Sequence, residues 1–286
     1  MKRKMIIIVT FLCTLPGMAQ QDPQYTASDS LRVVKLLAAA GKEKATTNWM
    51  IHFARQFKEI PYVAKTLEGN KKERLVVNLR QLDCTTLVET VLALALTTRQ
   101  GSTEFDRYCQ NLTKIRYNGG TLDGYPSRNH YFTWWIDSNE AQGIVREITP
   151  PEALCATQNL DLHYMSAHPA YYPMLKDDTQ AQSLIRQHEQ ASNGRQIKYI
   201  PRARLNQAPS SALECIKDGD ILAIVTRKDG LDTSHIGFAK WGTDNRLHLL
   251  NASQIHKRVV LEPMTLYEYM GKHPSQLGIR VIRPIL

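Results

Sequence analysis

Leu82-Asp83-Cys84-Thr85-Thr86-Leu87-Val88-Glu89-Thr90-Val91-Leu92-Ala93-Leu94-Ala95-Leu96-Thr97-Thr98 is the stretch on which the reading of this chain turns. Helical spacing puts Leu87, Val91 and Ala95 on one side and Val88, Leu92 and Leu96 on the side next to it. A helix apolar around most of its circumference persists only when other elements cover it, so residues 84–98 are expected at the centre of a domain. Asp83 is placed to cap that helix by accepting a first-turn backbone N–H. Cys84 then opens the first turn, where free N–H groups and the helix dipole favour a thiolate. The same groups can hold the oxyanion that forms when sulfur attacks a carbonyl. Cysteines are also common as structural residues of buried helices, so the position needs a chemical partner before it means catalysis.

Outward from this helix, residues 28–40 read as a helix ended by Gly41, and 47–58 as a second. Arg74-Leu75-Val76-Val77 reads as a short strand, 103–116 as another helix, and 117–135 as an aromatic stretch that is loop-like at its start. Helical signals recur near 166–175 and 179–191. From Gly219 the period changes to that of strands, at 221–226, 235–241, 247–252, 258–261 and 279–282. Helices first and strands last predict an α+β fold, and no repeat, linker or charge block divides it.

The chain has 286 residues, 43% hydrophobic and 22% charged, with 15 Gly and 13 Pro, which excludes a collagen-like, disordered or disulfide-stapled miniprotein. Lys2, Arg3 and Lys4 precede an apolar run from Met5 to Leu15, and Gly17-Met18-Ala19 supplies small residues for cleavage. Residues 1–19 therefore read as an export signal, too short to span a bilayer, and 20–286 as a single domain. Its removal takes three positive residues and no negative one, lowering the formal charge from +9 to +6. Export to the periplasm or cell envelope argues against nucleic acid as a partner, and a modest positive charge suits an acidic substrate there as well as simple solubility. No later stretch is long and apolar enough for a transmembrane segment, no cofactor is implied, and a monomer is expected.

Cys84, Cys109, Cys155 and Cys215 match neither zinc-finger spacing nor a CxxC pair. An exported chain can join four cysteines in two disulfides, but the setting of Cys84 argues that this thiol stays free. A cysteine nucleophile needs a base, normally histidine, held by a third polar residue. His235 stands out among nine histidines, in Thr233-Ser234-His235-Ile236-Gly237-Phe238-Ala239-Lys240-Trp241. On a strand, His235, Gly237 and Ala239 share a face whose small residues let another element, such as the Cys84 helix, come close. Ile236 and Phe238 are then expected to pack away from the site. In Leu247-His248-Leu249-Leu250-Asn251-Ala252-Ser253, His248 and Asn251 point to opposite faces, so only one of them can orient His235. Asn251 can do so through its amide oxygen, although asparagines at strand ends are often turn formers.

In this order, Asp83-Cys84, Gly219-Asp220-Ile221-Leu222, His235-Ile236-Gly237 and Asn251-Ala252-Ser253 resemble the NlpC family of bacterial cell-wall cysteine hydrolases. The resemblance implies a papain-like fold, with the nucleophile on a central helix packed on an antiparallel sheet and an N-terminal helical elaboration. Many relatives carry histidine as the third residue, where this chain has Asn251. Ile60-Pro61-Tyr62-Val63 resembles the family's Pro-Tyr segment, without the Trp-Gly-Gly that often follows it. The runs Asn78 to Glu89 and Ser127-Arg128-Asn129-His130-Tyr131-Phe132 are similar to the N-acetylmuramoyl-L-alanine amidase-like branch. That branch cuts the amide between the muramyl lactyl group and L-Ala of peptidoglycan fragments, whereas many other relatives cut between D-Glu and the diamino acid.

The resemblance implies Cys84 as nucleophile, His235 as base and Asn251 as orienter, with a thioester intermediate. Tyr62, Asp83, Arg128, His130, Tyr131 and Ser234 would contact the muropeptide substrate, Arg128 by pairing a peptide carboxylate. Read without it, Arg128, His130 and Tyr131 are ordinary loop packing. Trp134 and Trp135 either flank the cleft or anchor it. A zinc amidase would need a His/Glu ligand cluster, and His163 and His168 bring none with them. A serine hydrolase would need a Gly-x-Ser-x-Gly elbow, which is missing. A non-catalytic wall-binding module is the alternative of another class, and it would have no use for Cys84 or His235.

Overall fold

The computed structural model describes residues 22–44, 46–206 and 213–286; the export signal read at 1–19 lies outside them. The chain runs through α1 (Ala27–Ala40), α2 (Trp49–Gln56), α3 (Cys84–Arg99), α4 (Phe105–Arg116) and α5 (Phe132–Ala141). There follow β1 (Val145–Ile148), β2 (Ala156–Asn159), α6 (Tyr164–Ala167), α7 (Thr179–Ser192) and β3 (Gln196–Pro201). The C-terminal part holds β4 (Ile221–Thr226), β5 (Thr233–Trp241), β6 (Leu247–Ser253), β7 (Arg258–Leu261), α8 (Leu266–Gly271) and β8 (Gln276–Pro284). The strands pair antiparallel in the order β2-β3-β8-β4-β5-β6-β7, with β1 on the edge of β8 that β3 also uses. This is an α+β architecture. Among the described residues no helix is long and apolar enough to cross a membrane.

The apolar circumference of α3 explains its place. Leu87, Val88, Val91, Leu92 and Ala95 are fully buried, in one cluster with Val33 and Leu37 of α1, Phe53 of α2, Leu112 and Ile115 of α4, and Ile236, Phe238, Leu250 and Ala252 of the sheet. Burying side chains of this size contributes about 1.5–3 kcal/mol each before entropy is charged against it. The other sheet face, with Leu222, Ile224, Ala239, Leu249, Ile279 and Val281, packs on Leu266, Tyr269 and Met270 of α8. The strand reading therefore reverses one expectation. Ile236 and Phe238 face α3, while Ala239 looks toward α8, because a helix apolar on all sides needs apolar partners from the sheet.

Other expectations are corrected too. Residues 74–77 form no strand: their pairing is a single bridge from Gln24 to Val76, with Gln24 N–H to Leu75 O at 2.7 Å and Val77 N–H to Gln24 O at 2.9 Å. Nor do the strands all come last, since the short β1, β2 and β3 precede residue 219. The 166–175 signal divides into α6 and a 3-10 turn beginning at Pro169. No disulfide involves Cys84, Cys109 or Cys155.

Two unpredicted helices, α5 and α8, have different origins. The first-turn N–H of Thr133 in α5 donates to Asp232 Oδ2 at 2.6 Å, from 99 residues away, so no local cap marks this helix. By contrast α8 carries a local capping box of Thr265 and Glu268. At the entry to β4, Gly219 has φ +87°, and a Cβ there would lie 2.7 Å from Asn48 Oδ1. Asp220 then accepts from Lys217 N–H and from Arg283, joining the start of β4 to the end of β8.

Candidate active site

Asp83 and Thr86 close a capping box: Thr86 N–H donates to Asp83 Oδ1 at 2.8 Å, and Asp83 N–H to Thr86 Oγ1 at 2.9 Å. Cys84 is thereby the first residue of α3. Pro61-Tyr62 runs alongside, with Leu82 N–H to Pro61 O and Val63 N–H to Leu82 O both at 3.1 Å. The long interval in sequence between Tyr62 and Cys84 is thus closed by a parallel bridge. Burial pushes the Tyr62 hydroxyl up to about 12, with Cys84 and Asp83 adding to it, so it stays a proton donor at neutral pH.

Burial likewise pushes the Cys84 thiol up to about 12, and the Asp83 carboxylate adds to the rise. The backbone of Ile236, which follows His235 in β5, opposes the rise, as does Thr85, whose Oγ1 lies 4.0 Å from the sulfur. Desolvation lowers the pKa of His235, against the Asn251 bond and the negative charges of Glu262 and Asp83. Both directions favour a resting pair of neutral thiol and neutral imidazole. Cys84 and His235 line one cavity of about 180 Å³.

His235 Nε2 lies 2.9 Å from Asn251 Oδ1. The amide orientation is set from behind, because Asn251 Nδ2 donates to Leu249 O at 3.4 Å and to Glu262 Oε1 at 3.3 Å. A carboxamide oxygen only accepts, so the ring proton sits on Nε2 and Nδ1 keeps its lone pair. The small residue on this strand serves the third residue and not the helix: a Cβ at Gly237 would lie 2.9 Å from Asn251 Cβ and from Leu249 Cδ1. His248 is turned elsewhere, with Nδ1 on Glu262 O and Nε2 on Asp244.

The cavity is completed by Thr85, Asn129, His130, Tyr131, Phe132, Met165, Tyr172 and the run from Leu231 to Ile236, which includes Ser234. Ser234 Oγ donates to Ile224 O at 3.4 Å. His130 Nε2 donates to Tyr125 O at 2.8 Å. Burial and then the Arg128 charge push its pKa down to about 3, so His130 is a neutral ring with an acceptor Nδ1. Tyr131 is almost wholly buried, its hydroxyl donating to Glu189 Oε1 at 2.6 Å and accepting from Met165 N–H.

Arg128 differs from expectation. It is 7% exposed, with Nη1 2.9 Å from Glu68 Oε1, Nη2 3.0 Å from Glu73 Oε2, and the guanidinium 4.7 Å above the Tyr125 ring. The carboxylates it was expected to find on a peptide are supplied by the protein itself. It lines a second cavity of about 370 Å³ with Trp134, Asp137 and His188, on the other side of Asn129. Trp134 edges that cavity through Nε1 to Ser192 Oγ at 2.8 Å, whereas Trp135 is fully buried.

Sequence reasoning passed over Glu262, which holds Asn251, and Asp232, which caps α5 at the cavity wall. Asp232 sits three residues before His235 and was open to notice; nothing local marks Glu262. Among the described residues no three His, Cys, Asp or Glu side chains are gathered as a metal site.

An α+β chain with this arrangement belongs with the amidase-like cell-wall hydrolases. Specifically, the chain is a member of the AmiA-like family, described as N-acetylmuramoyl-L-alanine amidase-like, matched over residues 52–279. It is similar to solved structures named as an N-acetylmuramoyl-L-alanine amidase from Bacteroides uniformis, at 37% and 38% identity and TM-scores of 0.77 and 0.76, covering 83% of this chain and 98% of theirs. A structure from Bacteroides fragilis with a provisional xylanase name is as similar, at 37% identity and TM-score 0.74, over 81% of this chain and 98% of its own. No curated protein matches.

Proposed function

We propose that this protein is a cysteine amidase of the NlpC type with a papain-like arrangement, hydrolysing the bond between the muramyl lactyl carbonyl and L-Ala of peptidoglycan fragments. The observation that carries this reading is the bond from His235 Nε2 to Asn251 Oδ1 beside Cys84, with both Cys84 and His235 on one cavity. The family match and the similarity to the named Bacteroides uniformis amidase support this choice of bond.

In this mechanism His235 Nδ1 takes the Cys84 proton as sulfur adds to the amide carbonyl. The Cys84 N–H at the start of α3 donates to the oxyanion. The tetrahedral adduct collapses, His235 gives its proton to the departing L-Ala nitrogen, and the lactyl group remains as a thioester. Water then attacks the thioester while His235 accepts its proton and passes it to the departing sulfur, releasing the lactyl carboxylate and restoring the free thiol. Tyr62 offers a hydroxyl donor beside Cys84, His130 an acceptor nitrogen, Tyr131 and Ser234 shape the wall, and Asp83 holds the start of α3 that carries Cys84. Residues 1–19 direct the enzyme to the periplasm or envelope, where it meets its acidic substrate; cell fractionation tests that part.

Defined muropeptides incubated with the protein and with Cys84→Ala, then analysed by mass spectrometry, test the activity. Release of an intact peptide beginning with L-Ala is expected. Products ending at D-Glu would establish the endopeptidase reaction instead, and full activity in Cys84→Ala would overturn the cysteine mechanism.

A further inference from the structure

We infer that Glu262 is a positioning residue for this site, a buried negative charge that holds Asn251 and stabilises His235 when it carries a proton. The inference rests on the Cys84–His235 reading proposed above. Glu262 follows β7 and is 1% exposed, yet the three residues before it, Val259, Val260 and Leu261, give no reason for a carboxylate there. Its backbone is fixed at both ends, N–H to Leu249 O at 2.9 Å and carbonyl accepting from His248 Nδ1 at 3.0 Å. One carboxylate oxygen receives Asn251 Nδ2 at 3.3 Å, and the other lies 3.1 Å from His256 Nε2. His256, with a side chain 30% exposed, is the outer end of the line His256–Glu262–Asn251–His235.

The line does two things. A carboxylate can only accept, so it compels Asn251 to present its NH2 backward and its oxygen to His235. A full negative charge two hydrogen bonds from the imidazole also favours the imidazolium that forms when Cys84 loses its proton. This matters because burial works against both members of the thiolate–imidazolium pair. The other titratable groups around His235 and Glu262 are Asp83 and Cys84 at the start of α3, Tyr62, His248 on β6, Tyr269 on α8, His273 after it, and His256. Asp83 acts with Glu262 on His235, but it also raises the thiol, whereas Glu262 is not among the main influences on Cys84.

The test is a pH–rate profile together with NMR titration of 13C-labelled histidine, on the full chain carrying Glu262→Gln, Glu262→Asp or His256→Gln. In Glu262→Gln the rate limb reporting His235, and the His235 titration itself, move to lower pH by about one unit. Turnover falls on the order of tenfold with KM little changed. Glu262→Asp restores most of the limb position, because charge and not shape is responsible. His256→Gln keeps the Glu262 carboxyl group and its bond to Asn251, so its limb falls less than that of Glu262→Gln. An unmoved His235 titration in folded Glu262→Gln, or an equal fall in His256→Gln, overturns the inference. Cys84→Ala, run alongside, separates the two ideas: activity surviving there defeats the cysteine mechanism, while the NMR shift still reports on Glu262.

Discussion

Asn251 Oδ1 lies 2.9 Å from His235 Nε2, reaching diagonally from β6 to β5 past the bare backbone of Gly237. One strand pairing thus sets the tautomer of the histidine, and with it the nitrogen free to meet a thiol.

A methyl group at position 237 should displace Asn251. Gly237→Ala puts a Cβ 2.9 Å from Asn251 Cβ, Leu249 Cδ1 and Leu250 O, all three on buried residues of the neighbouring strand β6. The expected cost is about 1–3 kcal/mol of overpacking, with a loss of turnover on the order of tenfold or more as the orienting bond is broken. Urea unfolding and steady-state kinetics check it; wild-type turnover would contradict the role given to Gly237.

Cys84 should depend on His235 for its reactivity. Burial holds the thiol near 12, well above neutral pH, so without a base it remains protonated. In His235→Ala, alkylation of Cys84 by iodoacetamide at pH 7 should slow on the order of tenfold or more. The rate should recover only toward pH values near that of the thiol. Peptide-level mass spectrometry resolves Cys84 from Cys109, Cys155 and Cys215, and an unchanged rate would show that the imidazole does not serve the sulfur.

Arg128 should matter for stability. Replacing it by Met leaves Glu73, 5% exposed, without its strongest neutralising partner. The cost at neutral pH is about 3–5 kcal/mol, the range for breaking a buried pair from one side. Burial already holds the Glu73 carboxyl above its usual range, and losing Arg128 lifts it further. A carboxyl raised in the folded state is penalised above its folded pKa and relieved below it. The deficit of Arg128→Met should therefore shrink as pH falls. Denaturant curves at several pH values test this; a raised KM with unaltered stability would instead restore the substrate-binding role.

His130 should resist protonation far into acid. Its folded pKa is about 3 against an ordinary 6.5, through burial first and Arg128 second. A histidine depressed in this way supports the fold fully above its unfolded pKa and loses that support as pH falls from 6.5 toward 3. His130→Gln should flatten this part of the acid limb of stability. A histidine NMR titration showing His130 protonated near pH 6 would refute it.

The sequence was most informative where structure is locally encoded. The Asp83 cap, the buried character of α3 and the β4 to β7 runs were legible, since capping and side-chain period depend on neighbours within one turn or one strand. Period alone said only that His248 and Asn251 could not both serve His235, and the family resemblance favoured Asn251. Tyr62 was a weaker inference because its link to Cys84 is a bridge across a long loop. Glu262 and the Glu68–Arg128–Glu73 pairing were not legible at all. Their partners are 11, 60 and 55 residues away along the chain.

By itself, then, the sequence determined that an apolar helix opened by Asp83-Cys84 must be buried, and that a His-x-Gly strand accompanies it. Only the tertiary structure decided which strand face meets the helix. The apolar side chains Ile236 and Phe238 took that face, since hydrophobic burial is indifferent to chemistry and α3 demanded cover. It also decided that the charge of Arg128 is paired from within. A buried guanidinium must be paired, and whether the pair is substrate or protein depends on which carboxylates the fold brings within 3 Å, as it does with Glu68 and Glu73.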